Sequence, residues 1–153
     1  MIHPSVEIGE YCSIYPSVQI GKNTVIKSYV ELRKGTVIGE NCYIDSGVKC
    51  SGDCIIGNNV TLRYHSIIAR GVEIGNGTYL APRIMTNNLD ETEQSIGGAK
   101  IGADCFIGTH TVLHHGITIC DHVTVGSMSF VNKSIDVPGT YFGAPAKLKL
   151  AKK

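Results

Sequence analysis

Six histidines and six cysteines are among the residues of this 153-residue sequence whose types permit metal binding, disulfide formation or nucleophilic chemistry. The run CSGDC, Cys50 to Cys54, does not have a zinc-finger spacing. None of the cysteines has another cysteine 18 residues away, which is the interval at which the chain repeats. Free cysteine packs as a small hydrophobe. We therefore predict free thiols that serve packing, with Cys120 as an accessible exception.

A six-residue pattern positions these side chains along most of the chain. From Ile2 to Met85 the chain divides into consecutive hexads whose first position is always apolar: Ile2, Ile8, Ile14, Ile20, Ile26, Leu32, Ile38, Ile44, Cys50, Ile56, Leu62, Ile68, Ile74 and Leu80. The fifth position is nearly always small or β-branched. Ile-Gly pairs begin at positions 20, 38, 56 and 74, so three hexads form one unit. The pattern predicts a triangular coil of short parallel strands stacked about 4.8 Å apart, with the large aliphatic side chains inside.

One interruption breaks this pattern. The hexads stop after Met85 and resume at Ile101, and residues 86–100 contain three acids and no clear register. Because fifteen is not a multiple of six, part of this segment must leave the coil as a loop. Fourteen hexads before the loop and six after it, at three to a turn, predict about six to seven turns and a short C-terminal tail. We expect one all-β domain over residues 1–153.

Charge and hydropathy exclude several classes of function. Fourteen Lys and Arg against thirteen Asp and Glu give a net charge of +1, so no strong field attracts nucleic acid or a membrane surface. No apolar run approaches the roughly 18 residues of a membrane span, and the N-terminus lacks the basic and apolar regions of a signal peptide. We expect a cytoplasmic protein. A thin column has little interior for its surface, so we also expect self-association.

The hexad rule resembles that of the hexapeptide-repeat acyltransferases, and the resemblance covers almost the whole chain. It implies a left-handed parallel β-helix, a homotrimer with active sites between neighbouring columns, and acetyl-CoA as the acyl donor. The C-terminal run SFVNKSIDVPGTYFGAPAKLKL is similar to a family signature that ends in Gly-Asn-Pro-Ala-Lys/Arg, with Ala144 in place of the Asn. The resemblance places the following residues at the CoA groove: Gly108, Thr109, Gly126, Ser127, Asn132, Lys133 and Lys147.

The start of the loop resembles one branch of that family. Related enzymes that act on hydroxyls have a catalytic histidine near this point, whereas this sequence has Thr86-Asn87. That pair is similar to a Thr-Asn pair in the branch that acetylates amino groups of nucleotide-linked sugars. Strict counting by hexads, however, aligns Asn88 and not Asn87 with the Asn of that pair. A hydroxyl needs a base, while an amine mainly needs orientation, which an amide can supply. The resemblance thus implies N-acetylation, with the oxyanion met by a backbone N–H at the Gly108 corner.

Stacking at 18 residues suggests further members of the site. It places Asn88 over Arg70 and Arg83 over His65. Arg70, Arg83 and Asn88 are therefore predicted to line one outer strip, whose guanidinium groups suit a diphosphate or carboxylate. His65 is a candidate base that reaches in from a neighbouring subunit. The predicted catalytic residues are thus Asn87, Asn88 and His65, with Arg70 and Arg83 binding substrate.

Three other functions stay open at this point. An O-acetyltransferase would use His65 or His110 as its base. The run IGTHTVLHHG is similar to the ligand pattern of the zinc-dependent β-helical carbonic anhydrases, but it has Thr109 where the first ligand should stand, and only His114 is in register. We therefore expect no metal. A catalytically silent β-helical scaffold is the third alternative.

Overall fold

Three parallel sheets form the sides of a triangular column in the computed structural model, which describes residues 1–150 and contains 22 strands and no helix in that range. Sheet 1 contains β1 (Glu7–Ile8), β4 (Val25–Ile26), β7 (Tyr43–Ile44), β10 (Thr61–Leu62), β13 (Tyr79–Leu80), β16 (Phe106–Ile107), β19 (Val123–Val125), β21 (Gly139–Phe142) and β22 (Lys147–Leu148). Sheet 2 contains β2 (Ser13–Ile14), β5 (Glu31–Leu32), β8 (Lys49–Cys50), β11 (Ile67–Ile68), β14 (Met85–Thr86), β17 (Val112–Leu113) and β20 (Phe130–Val131). Sheet 3 contains β3 (Gln19–Ile20), β6 (Val37–Ile38), β9 (Ile55–Ile56), β12 (Glu73–Ile74), β15 (Lys100–Ile101) and β18 (Thr118–Ile119).

The register of sheet 3 confirms the predicted repeat. Ile20 pairs with Ile38, Ile38 with Ile56, and Ile56 with Ile74, so the isoleucines of the Ile-Gly pairs lie one above another. The all-β solenoid expected from the hexads is therefore confirmed. Successive strands in the chain belong to different sheets, because each hexad contributes one two-residue strand and one corner.

First-position and fifth-position side chains together fill the interior. The first-position residues from Ile20 to Leu80 are at most 3% exposed. Fifth-position hydroxyls are buried as well, and several are satisfied at the corners, although that of Thr36 has no hydrogen-bond partner. Thr24 donates to Gly39 O at 2.9 Å, and Thr78 donates to Gly102 O at 2.7 Å. Small polar residues are tolerated at this position because a backbone carbonyl of the next coil lies within reach.

The column has about eight levels, more than the six to seven predicted. Sheet 3 provides six strands, and single bridges extend it by one level at each end, from Ile2 to Ile20 and from Ile119 to Ile135. Two segments account for the difference. Part of segment 86–100 stays in the coil, and the residues after Asp136 add strand β21 to sheet 1.

The predicted loop is a nine-residue insertion into one hexad. Ile56 pairs with Ile74 at an interval of 18 residues, whereas Ile74 pairs with Ile101 at an interval of 27. Between these levels a small hairpin forms, with an antiparallel bridge from Leu89 to Ser95. The rest of segment 86–100 supplies one side of the coil.

The C-terminal tail folds back on the column. Strand β22 runs antiparallel to β21, with Tyr141 opposite Leu148 and Phe142 opposite Lys147. Residues 151–153, the end of the predicted domain, lie outside the described range. Within residues 1–150 there is no helix of the length and hydropathy that a membrane span requires.

Candidate functional site

Corner residues in the left-handed backbone conformation form a stacked column where sheet 1 meets sheet 2, here called the first corner. Their φ angles lie between 57° and 74°, and they are Tyr11, Tyr29, Gly47, His65, Arg83, His110 and Met128. The backbone N–H of every one of these corner residues after Tyr11 donates to a backbone carbonyl in the preceding coil. Examples are Arg83 N to Tyr64 O at 3.0 Å and His110 N to Pro82 O at 3.2 Å. This repeated bond fixes the side chains at intervals of one coil, or about 4.8 Å.

The first corner brings His65, Arg83 and His110 together in three successive coils. The predicted placement of Arg83 over His65 is confirmed, since the Arg83 N–H donates to the residue that precedes His65. All three side chains are exposed. They line a groove of about 570 Å³ whose apolar side is formed by Met85 and Val112 of sheet 2. Cationic and imidazole groups beside an apolar wall suit an anionic or polar ligand with a hydrocarbon part.

Four of the predicted CoA residues also lie at the first corner. Gly108 and Thr109 directly precede His110, and Gly126 and Ser127 precede Met128 one coil higher. The Gly108 N–H is not free for an oxyanion, because it donates to Val125 O at 2.8 Å. Among residues 1–150 the Thr109 N–H has no acceptor. At this corner the backbone N–H that is available to a ligand is therefore that of Thr109 and not that of Gly108.

The corner between sheets 2 and 3, here called the second corner, holds the other predicted residues. Asn87, His114 and Asn132 directly follow strands β14, β17 and β20, so they occupy equivalent positions in three successive coils. The Asn87 N–H donates to Leu113 O at 3.1 Å, and the His114 N–H donates to Val131 O at 2.9 Å. Asn87 and His114 are half-buried, and Asn132 is exposed. Lys133 follows Asn132 and is exposed.

The single strip predicted for Arg70, Arg83 and Asn88 does not form. Arg83 precedes strand β14 and lies at the first corner, whereas Arg70 follows strand β11 and lies at the second. The 18-residue interval alone does not distinguish the two ends of a two-residue strand. Arg70 also has a partner, because its Nη1 lies 2.6 Å from Asp53 Oδ2 in an ion pair with both side chains more than half exposed.

Thr86 shows how the chain positions Asn87. It occupies the inward first position, where the other hexads have an aliphatic residue or Cys50, and it is 3% exposed. Its hydroxyl accepts from Ala69 N at 2.7 Å and donates to Ile67 O at 3.0 Å. In neighbouring coils the equivalent N–H, for example that of Ser51, donates to a backbone carbonyl instead. The Thr86 hydroxyl thus accepts the sheet hydrogen bond that the backbone carbonyl of Thr86 would otherwise accept. This happens at the point where the chain leaves the coil to form the hairpin.

Asn88 begins the hairpin and does not belong to the regular coil. Its carbonyl accepts from Ile96 N at 2.9 Å and from Gly97 N at 3.3 Å, which closes the neck of the hairpin. The tip is held by Asp90, whose Oδ1 accepts from the Thr92 hydroxyl and from the Gln94 N–H. These bonds, chiefly that from the Thr92 hydroxyl, lower the pKa of Asp90 below its ordinary value. Of the two amides, Asn87 is therefore the one held by the coil.

Lys147, the last predicted CoA residue, lies on strand β22 at the end of sheet 1 and is exposed. It does not lie on the strands that position the other candidates. The predicted residues thus fall into a first-corner group, a second-corner group and one lysine on the terminal hairpin.

The thiols are free, as predicted. Cys42, Cys50, Cys54 and Cys105 are buried, whereas Cys12 and Cys120 are partly exposed. Burial raises the pKa of the Cys42 and Cys105 thiols above the ordinary value. Within residues 1–150, no three His, Cys, Asp or Glu side chains lie close enough to hold a metal ion together.

The sequence analysis noted Thr86 only as half of the Thr86-Asn87 pair and His114 only against the zinc pattern, and it gave neither a role beside Asn87. A signal for Thr86 was present, because a polar residue in the apolar first position of a hexad requires buried partners. A signal for His114 appears only when the nine inserted residues are subtracted, which aligns it with Asn87. Its ring lies 5.8 Å from that of Phe130 and 3.8 Å from that of His115, measured between centroids.

Comparison with known proteins agrees with this architecture. The family model described as bacterial transferase hexapeptide (six repeats) matches residues 1–34, 35–70 and 98–133. The chain therefore belongs to the hexapeptide-repeat transferase family. The segment between the second and third matches contains the inserted hairpin and the residues Thr86 and Asn87, at which the chain leaves the coil and the six-residue rule fails.

Solved structures with the same fold include nucleotide-sugar enzymes. PerB from Caulobacter crescentus, in complex with CoA and GDP-perosamine, is 21% identical with a TM-score of 0.64, over 97% of this chain and 56% of PerB. AntD, an N-acyltransferase from Bacillus cereus with bound dTDP and coenzyme A, is 19% identical with a TM-score of 0.61, over 99% and 84% of the two chains. UDP-N-acetylglucosamine acyltransferase from Campylobacter jejuni is 17% identical with a TM-score of 0.56, over 97% and 74%. This chain spans little more than half the length of PerB, and at these identities the likeness shows the fold alone.

Proposed function

We propose that this protein is an acetyltransferase that moves an acetyl group from acetyl-CoA to the amine of a nucleotide-linked amino sugar. The observation that supports this most directly is the start of the hairpin, where Thr86 holds Asn87 in the coil, so that an amide stands where the family resemblance implies a histidine in enzymes that act on hydroxyls. His114 lies at the equivalent position of the adjacent coil. The names of the structural relatives point in the same direction, since PerB and AntD were solved with CoA and with a nucleotide or nucleotide sugar.

The two corner groups require a second copy of the chain to form one site. Within one column they lie at opposite edges of sheet 2, so His110 and Asn87 of the same chain face different grooves. In a homotrimer, the first corner of one column would lie against the second corner of its neighbour. Each of the three grooves would then combine Thr109, Ser127 and His110 from one chain with Asn87 and Lys133 from the next.

The chemistry in such a groove is direct acyl transfer. Asn87 accepts a hydrogen bond from the acceptor amine and orients its lone pair toward the thioester carbonyl. The amine nitrogen bonds to the carbonyl carbon, and the oxyanion that forms is met by the Thr109 N–H. The C–S bond then breaks, and the proton lost from nitrogen ends on the sulfur of CoA. Lys133 supplies a point charge for the nucleotide phosphates of CoA.

An O-acetyltransferase is the second candidate, and the first corner favours it specifically. His65 and His110 lie one coil below and one coil above Arg83 in the same groove, so a base is available there for a hydroxyl acceptor.

The buried free thiols suit a reducing compartment such as the cytoplasm, which both candidates require for access to acetyl-CoA.

Paired substitutions separate the two candidates. For amine transfer, Asn87→Ala is expected to lower the rate about 100-fold through loss of orientation, while Asn88→Ala, at the neck of the hairpin, keeps the rate within about threefold. For hydroxyl transfer, His65→Ala or His110→Ala would abolish turnover and Asn87→Ala would not. Thiol release from acetyl-CoA measures all four variants. Equal activity of wild type and Asn87→Ala on an amine acceptor would refute the proposed role of the amide.

A further inference from the structure

Arg83 is the one arginine without a carboxylate partner among residues 1–150, the part of the chain that the structure describes. Each of the other three lies in an ion pair: Arg33 with Glu31, Arg63 with Asp45, and Arg70 with Asp53. Arg83 is exposed at the first corner, where its planar guanidinium presents five N–H donors. An exposed guanidinium that lacks a carboxylate partner suits an anionic group of a ligand.

Two imidazoles flank this guanidinium. His65 lies one coil below Arg83 and His110 one coil above, and the three side chains line the same groove of about 570 Å³. The remaining residues of its lining are apolar, so no carboxylate lines it. The next corner residue above His110 is Met128, which is uncharged. The groove thus presents a row of three groups that can carry positive charge, over two coils or about 10 Å.

Gly47 fixes the lower imidazole of this row. A Cβ at Gly47 would lie 2.3 Å from His65 Nδ1 and 2.7 Å from His65 Cε1, so the ring lies directly against the backbone of the coil below. The Nδ1 edge of the ring faces Gly47, and Nε2 is on the opposite edge. A ring that packs in this way loses little conformational freedom when it binds a ligand.

The groups that face His65 from the coils below already have partners or are neutral. Those that line the adjoining groove with it are Tyr11, Tyr29, Glu31 and Lys49. Glu31 is the carboxylate of this set, and it has two cationic partners. Its Oε1 lies 2.5 Å from Arg33 Nε, and its Oε2 lies 4.0 Å from Lys49 Nζ. Glu31 is therefore not a free counter-charge for the row above it.

The same holds on the side of the corner that belongs to sheet 1. The Tyr64 ring packs edge-on against the His65 ring, with centroids 5.9 Å apart. Asp45 lies in the corner of the coil below, where its Oδ2 lies 3.0 Å from Arg63 Nε. The nearby carboxylates are thus engaged elsewhere, and the counter-charge for the row must come from a ligand.

An anion that binds between the imidazoles changes their protonation. Histidine is the side chain that ordinarily changes charge between pH 5 and 8. A bound anion favours the protonated form of an imidazole beside it. By linkage, each protonated imidazole strengthens the binding of the anion by the same factor, so the affinity falls as the pH rises. A diphosphate has two adjacent phosphoryl groups, so it can contact more than one level of the row.

We propose that His65, Arg83 and His110 form one anion site, which binds the diphosphate of the nucleotide-linked acceptor and takes up protons at the two imidazoles as it does so. The identity of the acceptor rests on the proposed function, but the site binds the diphosphate of any nucleotide-linked sugar on its own. The two histidines then serve to bind the acceptor of an amine transfer, in which Asn87 orients the nucleophile.

Isothermal titration with UDP-glucose, dTDP-glucose and GDP-mannose at constant ionic strength tests the site. These sugars have no amine and bind without reacting, and their diphosphate is a diester that keeps its charge between pH 6 and 8. Wild type should bind the tightest of them about tenfold more tightly at pH 6 than at pH 8, an average uptake of about half a proton. Heats measured in buffers of different ionisation enthalpy should show that uptake directly.

Three variants assign the effect to this row. Arg83→Gln should raise the Kd about 10- to 100-fold at both pH values, through loss of charge-assisted hydrogen bonds. The double variant His65→Asn, His110→Asn should bind at pH 6 as weakly as wild type does at pH 8, with no proton uptake; asparagine tolerates the positive φ of both positions. Arg33→Gln is the matched control, because it removes an exposed arginine of the second corner, and its Kd should stay within about threefold. All variants should unfold at the wild-type temperature.

The outcomes separate this proposal from the proposed function. If no nucleotide sugar binds, if Arg83→Gln leaves the Kd unchanged, or if the double variant keeps the pH dependence, the site is wrong, whatever the enzyme does. If Arg83→Gln weakens acetyl-CoA instead of the nucleotide sugars, the site holds the diphosphate of the donor and its assignment to the acceptor is overturned. If nucleotide sugars bind as predicted but no amino sugar releases thiol from acetyl-CoA, the site stands and the transferase proposal fails.

Discussion

Replacing Thr86 by valine tests how the coil positions Asn87, where the chain leaves for the hairpin. Valine has nearly the shape of threonine, so the substitution leaves no cavity and removes only the hydroxyl. The Ala69 N–H, which donates to that hydroxyl at 2.7 Å, then loses its acceptor in a place where Ala69 is 6% exposed. An orphaned buried donor costs about 1–3 kcal/mol. We therefore expect Thr86→Val to lower the free energy of unfolding by that amount.

The rate of acetyl transfer should fall as well as the free energy of unfolding. If the backbone at Thr86 shifts so that its own carbonyl can accept from Ala69, Asn87 moves with it. A displacement of about 1 Å costs on the order of 100-fold in rate when orientation provides the catalysis. The affinity for acetyl-CoA should change little.

Urea unfolding measures the stability change, and thiol release at saturating acetyl-CoA measures the rate. Thr86→Ser is the matched control, because it keeps the hydroxyl and loses one methyl group, for about 1 kcal/mol and little change in rate. If Thr86→Val and Thr86→Ser behave alike in both assays, the hydroxyl does not replace the carbonyl in the ladder, and the account of how Asn87 is positioned is wrong.

Two further predictions concern the column itself. A Cβ at Gly75 would lie 2.5 Å from the carbonyl carbon of Gly102 in the next coil, so Gly75→Ala should lower the free energy of unfolding in urea by about 3 kcal/mol or more. A Cβ at Gly97 would have no atom within 4 Å, so Gly97→Ala should lower it by only about 1–2 kcal/mol, because of the positive φ. Equal losses for the two variants would contradict the close contact between coils. Iodoacetamide should label only the two partly exposed thiols, Cys12 and Cys120, in the native protein; mass spectrometry should find all six after denaturation, and more than two native labels would contradict the described burial.

The fold could be predicted because the hexad is a local rule with a global consequence. An isoleucine every six residues must point inward, and an Ile-Gly pair every 18 residues defines the turn, so the stacking of Ile20, Ile38, Ile56 and Ile74 follows from arithmetic. The number of turns was too low because segment 86–100 has no apolar periodicity, although part of it completes a hexad. Sequence spacing does not distinguish residues that remain in the coil from those that leave it.

The candidate site was predicted in part. The placement of Arg83 over His65 follows from the repeat and was correct, since no insertion separates them. The common strip with Arg70 was wrong, because a shift from one end of a two-residue strand to the other changes the corner. His114 was missed as a neighbour of Asn87, since the hairpin changes the interval from 18 to 27. Insertions and corners are properties of the backbone path, and hexad counting does not contain them.

The most direct test of the proposed function is transfer from acetyl-CoA to a panel of nucleotide-linked sugars, with matched amino and hydroxyl members. We predict acceptor-dependent release of CoA thiol with the amino sugars only. The product should gain the mass of one acetyl group and keep it after mild alkaline treatment, as an amide does. Thiol release with the hydroxyl members and loss of the acetyl group in alkali would contradict the account, and so would the absence of turnover with every acceptor.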